Sequence, residues 1–523
     1  MKYDIVVIGS GISGMRAAIE AKELGANVAL ITKGSPTANN SFMAKGGINA
    51  AFGYMKDKDS IHEHTDETYK SSVGIGNKES IRIFCEQAPA AVRELSEYGV
   101  NFNKLANGKF AQRSFGGSAY KRTVHAADET GSAIMKTLHN VIKDYEIDIL
   151  KNYMAINLVT KDGIISGVTL FDEVSKKVLV CEAKSMILAS GGFASLYKNH
   201  TSNVRDATGD GIAMGLRAGL EAMNLEFVQF HPTGLEGSNF LLSEAARGEG
   251  GKLVDKDGKS FVDELNTRDF VTRAIYKKLN AGEKVYLDLT HIPIEVIDEK
   301  LIGIKKRVKT LKKLDITKDF IPISPVAHYT MGGIKTDTIG RTAIEGLFIV
   351  GEAGDNGVNG ANRLGGNSLS QGAVFGKIAA YEAIKFANRV KKFNGVDYYE
   401  IMNDINYIEE LKAEAKTINA NDIKNAIGEI LFKSLGIVRN GKDIKKALES
   451  FCEIEEKIKT SNEGETATIK SMLELKNTIL VAKAVALSAL KREESRGAHF
   501  RIDYPEKDHK FKTDTVVSIS ELS

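Results

Sequence analysis

Three glycines carry the first chemistry in this sequence. Gly9, Gly11 and Gly14, with Ser10, Ile12 and Ser13 between them, make a GxGxxG directly after the apolar run Ile5–Ile8. Between a strand and a helix, such a turn lets backbone N–H groups and the helix N-terminus hold a pyrophosphate. A nicotinamide dinucleotide would also call for an acid about 20 residues on, at the end of the second strand, to bind ribose hydroxyls. That place reads Ile31-Thr32-Lys33-Gly34, which weakens the nicotinamide reading and leaves the nucleotide. The stretch Asn39-Asn40-Ser41-Phe42-Met43-Ala44-Lys45-Gly46-Gly47-Ile48-Asn49 is polar and then glycine-rich, as a chain passing close to a flat ring needs to be. These residues suggest a flavin. Two acids sit in later glycine turns, Asp210 between Gly209 and Gly211, and Glu352 after Gly351. Taken alone, either serves equally well as a turn former or helix cap.

The elements that must position these residues follow from periodicity. Residues 3 to 32 read as a buried strand, a glycine turn, an amphipathic helix and a second strand, one βαβ unit. SMILASGG at 185–192 and GLFIVGEA at 346–353 are further strand-type runs ending in glycine turns. The expected fold is therefore α/β, a Rossmann-like dinucleotide domain discontinuous over 1–233 and 323–378. The more charged, mixed α+β stretch 234–322 reads as an inserted domain lying over the cofactor. Residues 379–523 read as a helical C-terminal domain and tail, with EIMNDINYIEELKAEAK and ALESFCEIEEKIK as helical, Lys/Glu-rich examples.

Composition narrows the partners. Of 523 residues, 71 are Lys or Arg and 68 are Asp or Glu, so no long-range field attracts nucleic acid or an anionic membrane. Cys85, Cys181 and Cys452 are scattered without a CxxC, which argues against a disulfide framework, a metal site or an iron–sulfur cluster in this chain. No run reaches about 18 apolar residues and no signal segment precedes Tyr3. A cytoplasmic protein without direct membrane insertion is expected. The charge run Ile304-Lys305-Lys306-Arg307 reads as a solvated helix face.

With these residues in view, the sequence resembles the flavoprotein subunits of fumarate reductase and succinate dehydrogenase, and their relative L-aspartate oxidase. The resemblance runs from residue 4 to about 505, on GSGISG, AKGGINAA, HAADETG, DATGDGIAMGLRAG, FVQFHPTG, SEAARGEGG, TRDFVTRAI, HYTMGGI, GANRLGGNSL and SRGAHFRIDYP. It implies an FAD domain, a capping domain over the substrate and a helical C-terminal domain. It implies FAD held by Gly9 to Gly14, Thr32, Lys33, Asn40, Ser41, Ala44, Gly46, Gly47, Asp210, Glu352, Arg363, Ser368 and Leu369. It further implies that His231, His328 and Arg363 bind the two carboxylates of fumarate or succinate, with Thr233 and Ser243 adding hydrogen bonds. A buried dianion must have its charge met, and an arginine fork does so bidentately. Arg268 is the implied proton donor, fed through Arg247 and Glu244. The latter two are three residues apart, so one helical turn would place them on one face.

Two departures separate the relatives. Many membrane-linked members attach FAD to a histidine just ahead of the AxGGI block; here that stretch is Asn39-Asn40-Ser41-Phe42, so noncovalent FAD and fumarate reduction are expected. L-aspartate oxidase carries an acid where this sequence has Phe115, before Gly116-Gly117. A phenyl ring cannot pair with a substrate ammonium, which favours a dicarboxylate, with aspartate oxidation as the alternative. Chain length also differs from subunits that dock on an iron–sulfur protein. An electron-donor protein, iron–sulfur or otherwise, is expected.

Overall fold

The computed structural model describes residues 1–55, 58–415, 418–460 and 467–522; the C-terminal bound expected at Ser523 lies outside them. The opening unit is a strand Lys2–Ile8, a helix Ile12–Glu23 and a strand Val28–Thr32. Ile5, Val6 and Val7 are wholly buried, as in a strand covered on both faces. The main sheet runs in the order Asp148–Lys151, Val28–Thr32, Lys2–Ile8, Val178–Leu188, Ile164–Asp172, Tyr153–Lys161. Its first four strands are parallel and the last two form an antiparallel hairpin. Val178–Leu188 is long enough to pair twice along one edge, first with Ile164–Asp172 and then, in parallel, with Leu347–Ile349. The chain thus returns to its first sheet, and the two strand-type runs read from the sequence end at the glycine turn, Ala189 against Gly9 and Gly351 against Ser13.

Strand Val228–Leu235 leads out of this region and strand Ile321–Thr330 leads back. They are antiparallel neighbours, Val228 opposite Thr330 and Leu235 opposite Ile323. Tyr286–Asp288 and Lys252–Val254 complete their sheet. The residues between share a core of their own, including Leu253, Val271, Ile275, Leu287 and Ile304. Helix Arg268–Asn280 buries Arg268, Val271, Thr272 and Ile275, the i, i+3, i+4, i+7 stripe of an amphipathic helix. Burying each aliphatic side chain on it contributes about 1.5–3 kcal/mol, and the same stripe turns Arg268 inward.

Helix Asn367–Ala387 packs on the opening helix so closely that a Cβ on Gly376 would lie 2.4 Å from the Ser13 carbonyl oxygen. A boundary at 378/379 would cut this helix. Its alanines Ala379, Ala380 and Ala383 are buried while its outer face carries the Lys and Glu that mark the following helices. The helices beyond it are Tyr398–Glu414, Ala420–Leu435, Gly441–Thr460 and Ile469–Lys491. Finally, Val516–Val517 pairs with Ala222–Met223 and ties the end of the chain back to the middle.

Candidate active site

The glycine turn faces a cleft with about 1620 Å³ of empty space. Gly9 has φ 111°, and a Cβ there would sit 2.2 Å from the Ala189 carbonyl oxygen; one on Gly14 would sit 1.8 Å from the Gly9 carbonyl oxygen. Only glycine permits this approach of strand, turn and helix. Helix Ile12–Glu23 begins at Gly11 with no acid in its first turn, and although the Ile12 N–H donates to Ser41 Oγ at 3.1 Å, its positive end faces the cleft for an anion. Gly9 to Ser13, Thr32, Lys33, Asn40, Ser41, Ala44, Asp210, Glu352, Ser368 and Leu369 line the cleft. The buried Ser190 hydroxyl, also lining it, has no partner among the described residues. An extended nucleotide cofactor such as FAD fits this donor set and size.

Lys33 and Asp210 reach the cleft wall but hold each other. Lys33 Nζ lies 2.7 Å from Asp210 Oδ2 and 3.1 Å from Glu474 Oε1. Burial opposes both charges, yet the carboxylates outweigh it and raise the Lys33 pKa, while Lys33 lowers that of Asp210. Glu352 Oε1 accepts from the Thr330 N–H at 2.8 Å; burial nonetheless pushes its carboxyl up to about 7. Gly14, Gly46, Gly47 and Arg363 are not among the cleft-lining residues. A Cβ on Gly46 would lie 2.3 Å from the Phe115 ring, and one on Gly47 2.5 Å from Thr123 Cγ2. Protein packing therefore already demands those two glycines.

His328 lines the cleft and leads to a second, buried cluster. Its ring lies 5.2 Å from that of His231 at 66°. His231, Thr233, Ser243, Glu244, Arg247, Arg268, Arg363 and Phe115 are all buried. The Thr233 N–H donates to His231 Nδ1 at 3.2 Å, which leaves the proton of the neutral ring on Nε2. The Thr233 hydroxyl donates to the Leu242 carbonyl at 2.7 Å, so Thr233 orients His231. His328 Nδ1 faces the Ser202 hydroxyl at 2.8 Å. Burial and then the nearby arginine charges hold both imidazoles well below their ordinary pKa, so both rings are neutral.

Arg268 donates from Nε at 3.0 Å and Nη2 at 2.5 Å to Glu244 Oε2. Arg247 Nη2 lies 3.5 Å from Glu244 Oε1 without a hydrogen bond to it, so the three residues form one ion cluster. Glu244 is held below its ordinary value because, against burial, the Arg268 and Arg247 charges favour its ionised form. Arg363 differs: it lies 4.1 Å over the Tyr329 ring, its buried Nε has no hydrogen-bond partner, and among the described residues it makes no ion pair. Burial and then the Arg268 charge pull it down to about 10. The buried Ser243 hydroxyl is also without a partner among the described residues. A buried guanidinium, a hydroxyl, the His231 Nε2–H and the neighbouring His328 ring together make a site for a carboxylate-bearing molecule.

Sequence reasoning missed two contributors. Gln229 accepts from both Arg268 and Arg363; its signal was its spacing, two and four residues before His231 and Thr233 on one strand. Gly365 lies where a Cβ would meet Glu244 Oε2 at 2.8 Å, Phe115 Cδ2 at 3.1 Å and Arg268 Nη2 at 3.2 Å. It was legible as a motif glycine without its contacts.

Comparison with known proteins agrees with this geometry. An FAD binding domain model matches residues 4–369, and a model of the fumarate reductase flavoprotein C-terminus matches 424–522. Fold and site define an FAD-dependent oxidoreductase. More particularly, the chain belongs to the family of succinate dehydrogenase and fumarate reductase flavoprotein subunits. It is 39% identical to an uncharacterised FAD-dependent oxidoreductase of Methanocaldococcus jannaschii, over 99% of this chain and 96% of that one. It is 35% identical to a fumarate reductase (CoM/CoB) polypeptide of Methanothermobacter marburgensis, over 97% of this chain and 96% of that one. A chain of an E. coli quinol fumarate reductase variant superposes with TM-score 0.92 at 30% identity, over 99% of this chain and 94% of that one.

Proposed function

We propose that this chain reduces fumarate to succinate, as the catalytic flavoprotein of a fumarate reductase supplied with electrons by a partner protein of the iron–sulfur class. The observation that carries the reading is the buried Arg363, without an ion-pair partner among the described residues, in one cluster with two neutral histidines and the Arg268–Glu244–Arg247 ion cluster. When bound and reduced, FAD supplies the hydride; the residues at Asn39–Phe42 favour noncovalent attachment. Arg363 takes one substrate carboxylate through its fork, and His231, His328 and the Ser243 hydroxyl donate to the substrate oxygens. These donors stabilise the negative charge that develops as the double bond is reduced. Arg268 delivers the proton to the adjacent carbon. An arginine acts as an acid only if its proton is restored at once, and Glu244 touches it at two nitrogens, with Arg247 beyond.

In this reading residues 234–322 act as a cap, and the separate core they share supports it. No described helix is long and apolar enough to cross a membrane, so any membrane contact through such a helix belongs to a partner, and we place the chain in the cytoplasm. The subunit naming of the relatives supports the partner protein. Phe115, buried beside Gly365 and Gly46, stands against the alternative of L-aspartate oxidation, because it offers nothing to a substrate ammonium.

The test measures fumarate-dependent oxidation of reduced viologen beside aspartate-dependent peroxide formation on the purified, FAD-containing protein. Fumarate turnover that falls roughly 10²- to 10⁴-fold in Arg268→Ala, the span expected for a lost proton donor, is the expected result. Aspartate oxidation at a comparable rate would sink the proposal.

A further inference from the structure

Between the two arginines of the proposed reaction lies a side chain with no role assigned so far. Gln229 is 1% exposed. Its Oε1 accepts from Arg268 Nη1 at 2.8 Å and from Arg363 Nη2 at 3.3 Å. Its Nε2 donates to the Arg363 carbonyl at 2.8 Å and to Asn362 Oδ1 at 3.0 Å. The carboxamide has two donor hydrogens and two acceptor positions, and all are used. The reversed amide would aim its N–H groups at two cations, so the network fixes its orientation.

A carboxylate has the same shape as this amide and, placed between two guanidiniums, would be the ordinary way to neutralise them. The structure instead holds both cations on a neutral oxygen. Arg268, Arg247 and Arg363 bring three positive charges to the cluster, against the Glu244 carboxylate among them and Glu264, whose charge acts on Arg247; both histidine rings are neutral. Glu352, the other acid near Arg363, is turned to the Thr330 N–H. The cluster is left net positive.

We propose that the neutral amide of Gln229 keeps the site net positive and thereby makes it select a dicarboxylate dianion over a monoanion of the same shape. Gln229 is in this sense a positioning and specificity residue: it acts through Arg268 and Arg363. The assignment rests on the proposed dicarboxylate function and names the feature that sets its charge preference.

The test is calorimetric titration of the FAD-loaded protein with succinate and with succinamate, which replaces one carboxylate by an amide. In Gln229→Glu the affinity for succinate is expected to fall about tenfold or more, because one added buried charge opposes the ligand, while succinamate loses much less. The succinate-to-succinamate preference then collapses. Gln229→Met keeps the charge and retains the preference, while kcat falls because Arg268 loses one of its two anchors. Equal losses for both ligands in Gln229→Glu, or no change, would overturn the assignment. Should Gln229→Glu fail to hold flavin, Gln229→Met decides, and a collapsed preference there overturns it too. A wild-type protein that neither binds succinate nor reduces fumarate overturns the functional reading and this assignment with it. Fumarate turnover in the wild type beside an unaltered preference in Gln229→Glu overturns this assignment alone.

Discussion

Arg492 and Arg496, near the end of the chain, and Arg268 and Arg363, in the candidate site, are all at most 6% exposed, yet they are surrounded differently. Arg492 pairs with Glu226 at 2.5 Å and with Glu494 at 2.9 Å, and Arg496 pairs with Glu494 through Nε at 2.6 Å and Nη2 at 2.8 Å. Two cations meet two carboxylates there. Glu226 is further held by Ser488 and Thr515, and Glu494 by the Asp508 N–H. This network fastens the C-terminal segment to the loop ahead of strand Val228–Leu235. In the candidate site three arginines share one carboxylate. Buried charge left uncompensated costs stability, so an imbalance maintained by surrounding packing marks a place where a ligand completes the count.

The comparison breaks most sharply by exchanging the defects. Arg363→Met should lower kcat/KM for fumarate by about 10³-fold, roughly 4 kcal/mol of lost charge-assisted binding. Its denaturation midpoint should stay level or rise, because an unpaired buried charge has been removed. Glu226→Leu should do the reverse. Breaking a buried pair costs about 3–5 kcal/mol of stability, read by chemical denaturation, while turnover per folded, flavin-bearing molecule stays at the wild-type level. A destabilised Arg363→Met with normal turnover would show that its charge is structural and would end the distinction.

How much of this was legible depends on the range over which each signal acts. The opening βαβ unit, the strand runs before Gly191 and Gly351 and the residues around Gly9 are local patterns, and they appear where periodicity and the glycine turn place them. His231, Glu244, Arg268 and Arg363 were named through motifs, and the structure brings them into one cluster. The charge balance was not legible. It depends on which acid faces which arginine across more than about 100 residues of chain, as with Gln229 and Arg363. Nor was it visible that Gly46 and Gly47 are required by Phe115 and Thr123, since no local pattern reports a contact made on folding.

Gly365 offers a finer test, one that leaves the charges in place and moves them. A Cβ at this position would press on Glu244 Oε2, Phe115 and Arg268 Nη2 at once, while the backbone needs no positive φ there. Gly365→Ala should therefore cost little stability but lower kcat roughly 10- to 100-fold, the scale expected when a catalytic group is displaced by a fraction of an ångström to an ångström. Gly9→Ala is the control, since φ 111° and a Cβ 2.2 Å from the Ala189 carbonyl oxygen should abolish flavin retention. A Gly365→Ala protein with unchanged kcat would mean that the Arg268–Glu244 contact tolerates displacement and is not aimed at a reacting atom.

The smallest expected effect extends the comparison from unmatched cations to an unmatched acid. Glu352, on the cleft wall, makes no ion pair among the described residues; burial raises it from 4.5 to about 7, partly opposed by the Thr330 N–H and the Arg363 charge. As pH rises from about 4.5 to about 7 the unfolded carboxyl ionises while the folded one keeps its proton. The folded state then binds more protons, so this group makes the cofactor-free protein less stable as pH rises through that window and adds no further slope above it. Asp355, also pushed by burial up to about 7, has the same sign and leaves a residual slope. Glu352→Gln should flatten the fall in the denaturation midpoint between about pH 5 and pH 7. It should change the slope little above that range. If Glu352→Gln steepened the fall, Glu352 would be ionised in the folded cleft, and an acid kept protonated mainly by burial would no longer stand beside Arg363 as its counterpart.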